Sequence, residues 1–227
     1  MLNQTIQLKQ QLDKCLAWSL LLVGASGSGK THIAFYILWK WFPKDYIALY
    51  RYPQRALLAL PKEIRDRAFS FEEYRELVVI GEKARKEGKK VIVFFDDIAL
   101  FLLSRSGKNQ LNMEVVQNMT IARQNNICFL IAVQNLILLE KGMLESMNQF
   151  QLRTKMSYTQ SVTEREEYRE LQLDINDMLS VLDSTLGIWY CPETDEILSF
   201  PGIDWLTDDI SMPYRGWLIV DGKLGKV

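Results

Sequence analysis

Gly24-Ala25-Ser26-Gly27-Ser28-Gly29-Lys30-Thr31 decides the fold of this 227-residue chain. The stretch matches G-x-x-x-x-G-K-[ST], and the spacing has a physical reason. Glycines let the backbone bend so that successive N–H groups point inward at phosphate oxygens. Lys30 supplies a cation for the β- and γ-phosphates, and the Thr31 hydroxyl is a magnesium ligand. The segment stands between a short apolar run, Ala17 to Val23, and a stretch from Lys30 to Trp41 that reads as a helix ended near Pro43. A buried strand feeding such a loop, followed by a helix whose positive end faces the loop, is a phosphate cradle.

A second chemical signal lies further along. Val91-Ile92-Val93-Phe94-Phe95 is an apolar run that ends in Asp96-Asp97. A buried strand delivers the first carboxylate to the end of a sheet, where Asp96 holds magnesium and Asp97 orients or deprotonates an attacking water. Other short apolar segments read as strands at Tyr46 to Tyr50, Ile127 to Val133 and Phe150 to Tyr158. Between them lie a charged, mostly helical region ending at Gly88, a helix over Leu111 to Arg123, and another within Leu136 to Met147. Strands alternating with helices predict an α/β fold: a mostly parallel sheet with helices on both faces. Beyond Ser161 the pattern changes. A helix around Glu164 to Leu171 precedes two hairpins, one turning at Pro192 to Asp195 and one at Asp221-Gly222. Residues 1–160 are therefore expected to form an ATPase core with an N-terminal helix. Residues 161–227 are expected as a helix and hairpin extension packed on it.

Composition narrows the function. The chain is 48% hydrophobic and 24% charged, with 27 basic and 28 acidic side chains. A net charge of -1 points to no polyanionic partner by itself, so any nucleic-acid contact must come from a local patch or from converging loops of a ring. Cys15, Cys128 and Cys191 make no metal or redox motif, and Cys128 inside an apolar run reads as a buried thiol. One histidine, His32, excludes a His-rich zinc site; following the cradle directly, it is either a packing residue or a nucleotide contact. No apolar run reaches membrane-spanning length and no secretory signal is visible, which predicts a cytoplasmic protein.

The separate strand at Tyr46 to Tyr50, an added strand between the two motif-bearing strands, resembles the topology of RecA-like and AAA+ NTPases. In that class a polar residue after the next strand senses the γ-phosphate, a position held here by Gln134-Asn135. The run Ile121 to Gln134, with Arg123 before the strand and Gln134 after it, resembles the FtsK–HerA superfamily of DNA-pumping ATPases. Phe150 to Tyr158 and the Gly187 hairpin look like that family's fifth strand and tail. Asp97 departs from the glutamate that many members carry there, although Asp-Asp occurs in viral genome-packaging relatives. The resemblance implies a RecA-like P-loop fold of the ASCE type, ATP and Mg2+ as cofactors, DNA (double-stranded) as partner, and a homo-oligomer, a hexameric ring. It implies Lys30, Asp97, Gln134 and Arg123 as catalytic residues, Arg123 acting on a neighbour's nucleotide or else merely capping its helix, with Arg153 as second candidate. It also implies that the loop carrying Arg105 and Lys108 touches DNA, against the plainer reading of a surface loop. It suggests a bare motor domain, in style a virus-associated packaging ATPase. Two other readings stand: an AAA+ helicase loader using Asn135 as sensor, and a nucleotide-dependent switch with little turnover.

Overall fold

The computed structural model describes residues 6–96, 123–139, 149–181, 187–214, 217–220 and 223–226. Ten strands are described: β1 (Ser19–Val23), β2 (Tyr46–Tyr50), β3 (Ala68–Phe71), β4 (Val91–Phe95), β5 (Ile127–Val133), β6 (Gln149–Arg153), β7 (Ile188–Cys191), β8 (Glu196–Ser199), β9 (Trp217–Val220) and β10 (Lys223–Lys226). The first eight form one sheet in the order β3-β2-β4-β5-β1-β6-β7-β8. Pairing is parallel from β3 through β6 and antiparallel across β6-β7-β8. β9 and β10 make the second expected hairpin. This is the mostly parallel α/β sheet with C-terminal hairpins that the sequence predicts.

Helices cover both faces. α1 is Gln7–Lys14, α2 is Lys30–Tyr36, α3 is Gln54–Ala59, α4 is Lys62–Arg65, α5 is Tyr74–Lys86, α6 is Tyr158–Val162, α7 is Glu166–Ser180 and α8 is Asp208–Ser211. Because strand side chains alternate with period 2, the central strands feed two separate cores. Leu20, Leu22, Ile92, Phe94, Leu130 and Leu152 join α1 and α2 on one face. Leu21, Val23, Val93, Phe95, Phe129 and Ile131 meet α5 on the other. Strands buried on both faces read as continuous apolar runs rather than alternating ones, which is why β1, β4 and β5 stand out in the sequence. Cys128 lies fully buried among them, and burial pushes its thiol up to about 12.

Three local expectations change. The region before Gly88, read as mostly helical, contains edge strand β3, whose first three residues are only half-buried; so short a half-buried strand has no long apolar run to announce it. α2 continues into a π-helical turn, Ile37–Trp41, instead of running as one α-helix to Trp41. The fifth strand stops at Arg153 rather than Tyr158. In space, the strand between the two motif-bearing strands is β5, while β2 lies on the far side of β4. The expected helices over Leu111 to Arg123 and within Leu136 to Met147 fall largely outside the described residues; Arg123–Asn125 and Leu136–Leu138 are 3₁₀ turns.

α7 is fastened to β6 through Arg153, which is fully buried. Its Nε donates to Gln151 Oε1 at 2.7 Å and its Nη1 to Gln172 Oε1 at 2.8 Å. Nη1 also lies 3.5 Å from Glu164 Oε2, and the guanidinium sits over the Tyr168 ring at 5.1 Å. Burial pulls its pKa below the ordinary guanidinium value, and the Glu164 carboxylate opposes that pull. A cation so enclosed cannot reach a neighbouring molecule, which corrects the expectation of Arg153 as a second arginine acting in trans. Replacing it strands the buried Glu164 carboxylate. Arg153→Met is expected to lower unfolding stability by about 3 kcal/mol, read as a fall in the urea midpoint. An unchanged midpoint would mean that the cluster does not hold α7 to the sheet.

Candidate nucleotide site

The cradle forms where β1 ends. Gly24 N donates to Val133 O at 3.2 Å, and Thr154 N donates to Val23 O at 3.2 Å, so the loop leaves the sheet between β5 and β6. Gly27 and Gly29 adopt φ of +76° and +89°, a left-handed backbone that glycine tolerates best. Lys30 Nζ donates to Gly24 O at 2.8 Å and Ala25 O at 2.7 Å, which holds the ammonium at the mouth of the loop. Lys30 is buried at the first position of α2, whose N-terminal amides face the same space.

The second motif arrives from two strands away. Asp96 follows β4, is 7% exposed, and accepts the Thr31 hydroxyl proton at 3.0 Å (Oδ1) and 3.2 Å (Oδ2). A hydroxyl that donates to a carboxylate keeps its oxygen lone pairs for a cation, so Thr31 and Asp96 form a pair of hard oxygen donors suited to magnesium. Gln134 follows β5 and lines the same cleft, which measures about 510 Å³ and also takes in Ser26, Gly27, Gly29 and His32. Asn135 does not share that cleft. Its amide donates to Gln160 O at 3.1 Å, and its Oδ1 accepts from Ile137 N at 3.0 Å, capping the turn that follows. Among the two polar residues after β5, Gln134 is the one that faces the phosphate loop.

Other expected residues are placed less fully. Asp97, Arg105 and Lys108 lie outside the described residues. Arg123 opens the 3₁₀ turn ahead of β5, and its side chain is outside the described part. His32 lines the cleft and pairs through Nε2 with Pro201 O at 2.8 Å. In the basic stretch from Lys83 to Lys90, Lys89 pairs with Glu87 and Lys90 Nζ donates to Leu12 O and Cys15 O. Lys90 thus ties the end of α1 to the sheet.

Two features escape sequence reasoning. Tyr52, just past β2, is buried beside Asp96 and donates to Ile210 O at 2.8 Å. Burial raises its phenol well above the ordinary value, and the Asp96 carboxylate adds to the rise. The segment after β8 folds back as a wall of the cleft, contributing Leu206, Ser211, Met212, Pro213 and Tyr214. Its aromatics pack on α2: Trp205 lies 5.9 Å from Phe35, and Phe200 lies 5.5 Å from Tyr36. The sequence signal available was the run of aromatics from Trp189 through Phe200 to Trp205. Among the described residues no group of three or more His, Cys, Asp or Glu gathers as a metal site, and no helix is long and apolar enough to cross a membrane.

Sheet order, phosphate loop and carboxylate position together define a RecA-like P-loop ATPase fold. The chain is similar in structure to the genome packaging NTPase B204 from Sulfolobus turreted icosahedral virus 2 in complex with ATP-gammaS, with a TM-score of 0.54 and 11% sequence identity, covering 83% of this chain and 98% of that one. It is similar to the pCW3 conjugation coupling protein TcpA with ATPgS, at TM-score 0.53 and 15% identity, covering 87% of this chain and 63% of that one. It is also similar to EssC (ATPases 2 and 3) from Geobacillus thermodenitrificans, at TM-score 0.55 and 10% identity, covering 86% of this chain and 42% of that one. These are FtsK–HerA superfamily structures, and at such identities the likeness is one of fold. No protein-family model matches the sequence, and no curated protein matches it.

Gly24 tests the cradle directly. A Cβ there would lie 2.6 Å from Thr154 Cγ2, 2.7 Å from Ser28 Oγ and 3.3 Å from Trp189 Cη2. Gly24→Ala must displace the loop, and overpacking of this kind costs about 1–3 kcal/mol. Nucleotide affinity measured by calorimetry is expected to fall about tenfold or more. Affinity equal to that of the wild type would show that the loop absorbs the methyl group without moving.

Proposed function

We propose that this chain is a magnesium-dependent ATPase that drives DNA translocation or packaging as a ring of identical subunits. The observation that carries the reading is the convergence of Lys30, Thr31, Asp96 and Gln134 on one cleft at the end of a RecA-like sheet. Its fold likeness to a genome packaging NTPase and a conjugation coupling protein supports the DNA role.

In this reading the loop amides and Lys30 hold the triphosphate. Thr31 and Asp96 would hold magnesium, which would supply charge neutralisation for the triphosphate. Asp97 accepts a proton from the attacking water. The Gln134 amide has both a donor and an acceptor, so it can touch the γ-phosphate and orient that water at once. Charge that develops on the γ-phosphoryl group calls for a further cation, and Arg123, ahead of β5, reaches it on a neighbouring subunit in a head-to-tail ring, proposed as a hexamer. Arg105 and Lys108, in the segment after β4, are the proposed contacts to double-stranded DNA. The Gln160 bond that holds Asn135 in a cap weighs against an AAA+ loader in which Asn135 would be the sensor.

Wild-type protein is expected to hydrolyse ATP only with magnesium, faster when double-stranded DNA is added, and Lys30→Ala is expected to abolish turnover. Phosphate release assays decide this: full turnover by purified Lys30→Ala protein contradicts the site, and indifference to DNA contradicts the motor.

The shared site has its own test. Arg123→Ala and Lys30→Ala proteins, each inactive alone, are expected to recover measurable hydrolysis when mixed, because some interfaces then join an intact cradle to an intact arginine. A fully active, strictly monomeric Arg123→Ala protein would remove Arg123 from catalysis.

A further inference from the structure

The segment after β8 closes the phosphate end of the cleft. β2 and β4 are paired in register, with Leu49 opposite Phe94, so Tyr52 and Asp96 leave the same edge of the sheet. Tyr52 is buried and donates to Ile210 O at 2.8 Å, and the Asp96 carboxylate adds to the effect of burial on its phenol. Ile210 is thereby held beside Asp96. Ser211, the next residue, lines the cleft together with Lys30, Thr31, Asp96 and Gln134. Two further bonds fix the segment: Tyr214 donates to Tyr50 O at 3.0 Å, and Arg55 Nη2 donates to Pro213 O at 3.3 Å.

A γ-phosphate brings charged oxygens, and these bind best to hydrogen-bond donors. The wall offers Leu206, Ser211, Met212, Pro213 and Tyr214 to the cleft. The leucine, methionine and proline side chains have no proton to give. The Tyr214 hydroxyl proton goes to Tyr50 O. The amides of Ser211 and Met212 are bonded to Thr207 O and Asp208 O. His32, on α2, meets the Pro201 carbonyl through Nε2 at 2.8 Å. A carbonyl only accepts, so Nε2 carries the proton and Nδ1 of the neutral ring is an acceptor. The Ser211 side chain is what is left: it is half-buried, and among the described residues its hydroxyl has no hydrogen-bond partner.

We infer that Ser211 is a γ-phosphate contact: its hydroxyl donates to the terminal phosphoryl group of the bound nucleotide, and the Tyr52–Ile210 hydrogen bond positions it there. The inference rests on the nucleotide reading given above and adds to Gln134 a second group that reads the γ-phosphate, supplied by the C-terminal wall instead of the sheet. ADP lacks the group that Ser211 meets, so this hydroxyl separates substrate from product. Tyr52 acts only through the wall and is a positioning residue.

The test titrates a non-hydrolysable ATP analogue and ADP, each with magnesium, into full-length wild-type, Ser211→Ala, Ser211→Thr, Tyr52→Phe and Tyr52→Phe/Ser211→Ala proteins. Calorimetry gives affinity, and circular dichroism confirms that each variant folds. Ser211→Ala is expected to weaken the ATP analogue about tenfold, the loss of one hydrogen bond to a charged group, and to leave ADP unchanged. Ser211→Thr keeps the hydroxyl and is expected to keep the preference for the analogue over ADP. Tyr52→Phe is expected to lower that preference, and to add little to Ser211→Ala in the double variant, because both changes act on one contact. An unchanged affinity for the analogue in Ser211→Ala overturns the inference, and so does an equal loss for analogue and ADP. Additive effects of the two substitutions remove Tyr52 as the residue that positions Ser211. Failure of the wild type to bind either nucleotide overturns the nucleotide reading itself, an outcome distinct from the others.

Discussion

The hydrogen bond from Thr31 to Asp96 joins residues 65 apart in sequence, and the remainder of the site is arranged around it. It exists because β5 lies between β1 and β4, so the loop after one and the carboxylate after the other open at the same end of the sheet. Parallel strands place all their C-terminal ends on one edge, and crossing helices fill both faces. The two cores, divided by the alternation of side chains along β1, β4 and β5, hold those edges in register. A short side chain such as threonine can meet an aspartate from another strand only if that register is kept.

The parts of the molecule legible in the sequence are those where physical demands are local. A loop that must turn amides inward needs its glycines at set positions, and a strand buried on both faces must be apolar throughout. Lys30, Thr31 and Asp96 therefore announced themselves. β3 did not, because a half-buried edge strand of four residues carries no continuous apolar signal. Arg153 misled for a related reason: its position on the fifth strand is visible in sequence, but Gln151, Glu164 and Gln172, which enclose it, come together only in three dimensions. Gln134 and Asn135 are adjacent amides that composition cannot rank. The cap made by Asn135 and the cleft-facing position of Gln134 separate them.

The segment after β8 shows how tertiary structure adds chemistry that no motif encodes. Its residues follow no spacing rule, yet the chain returns across α2 and ends up beside Asp96. Tyr52 makes the link physical, since one buried phenol bonds the wall at Ile210 and borders the carboxylate that pairs with Thr31. The C-terminal wall of the cleft and the Thr31–Asp96 pair are thus parts of one packed unit.

The central claim is that the Thr31–Asp96 pair converts a phosphate loop into a magnesium nucleotide site. The most direct measurement is the affinity for a non-hydrolysable ATP analogue with and without magnesium, in wild-type and Asp96→Asn proteins. Magnesium is expected to tighten binding about tenfold or more in the wild type, and to have little effect in Asp96→Asn, whose amide keeps the shape but loses the charge. An equal magnesium effect in both proteins would contradict the account.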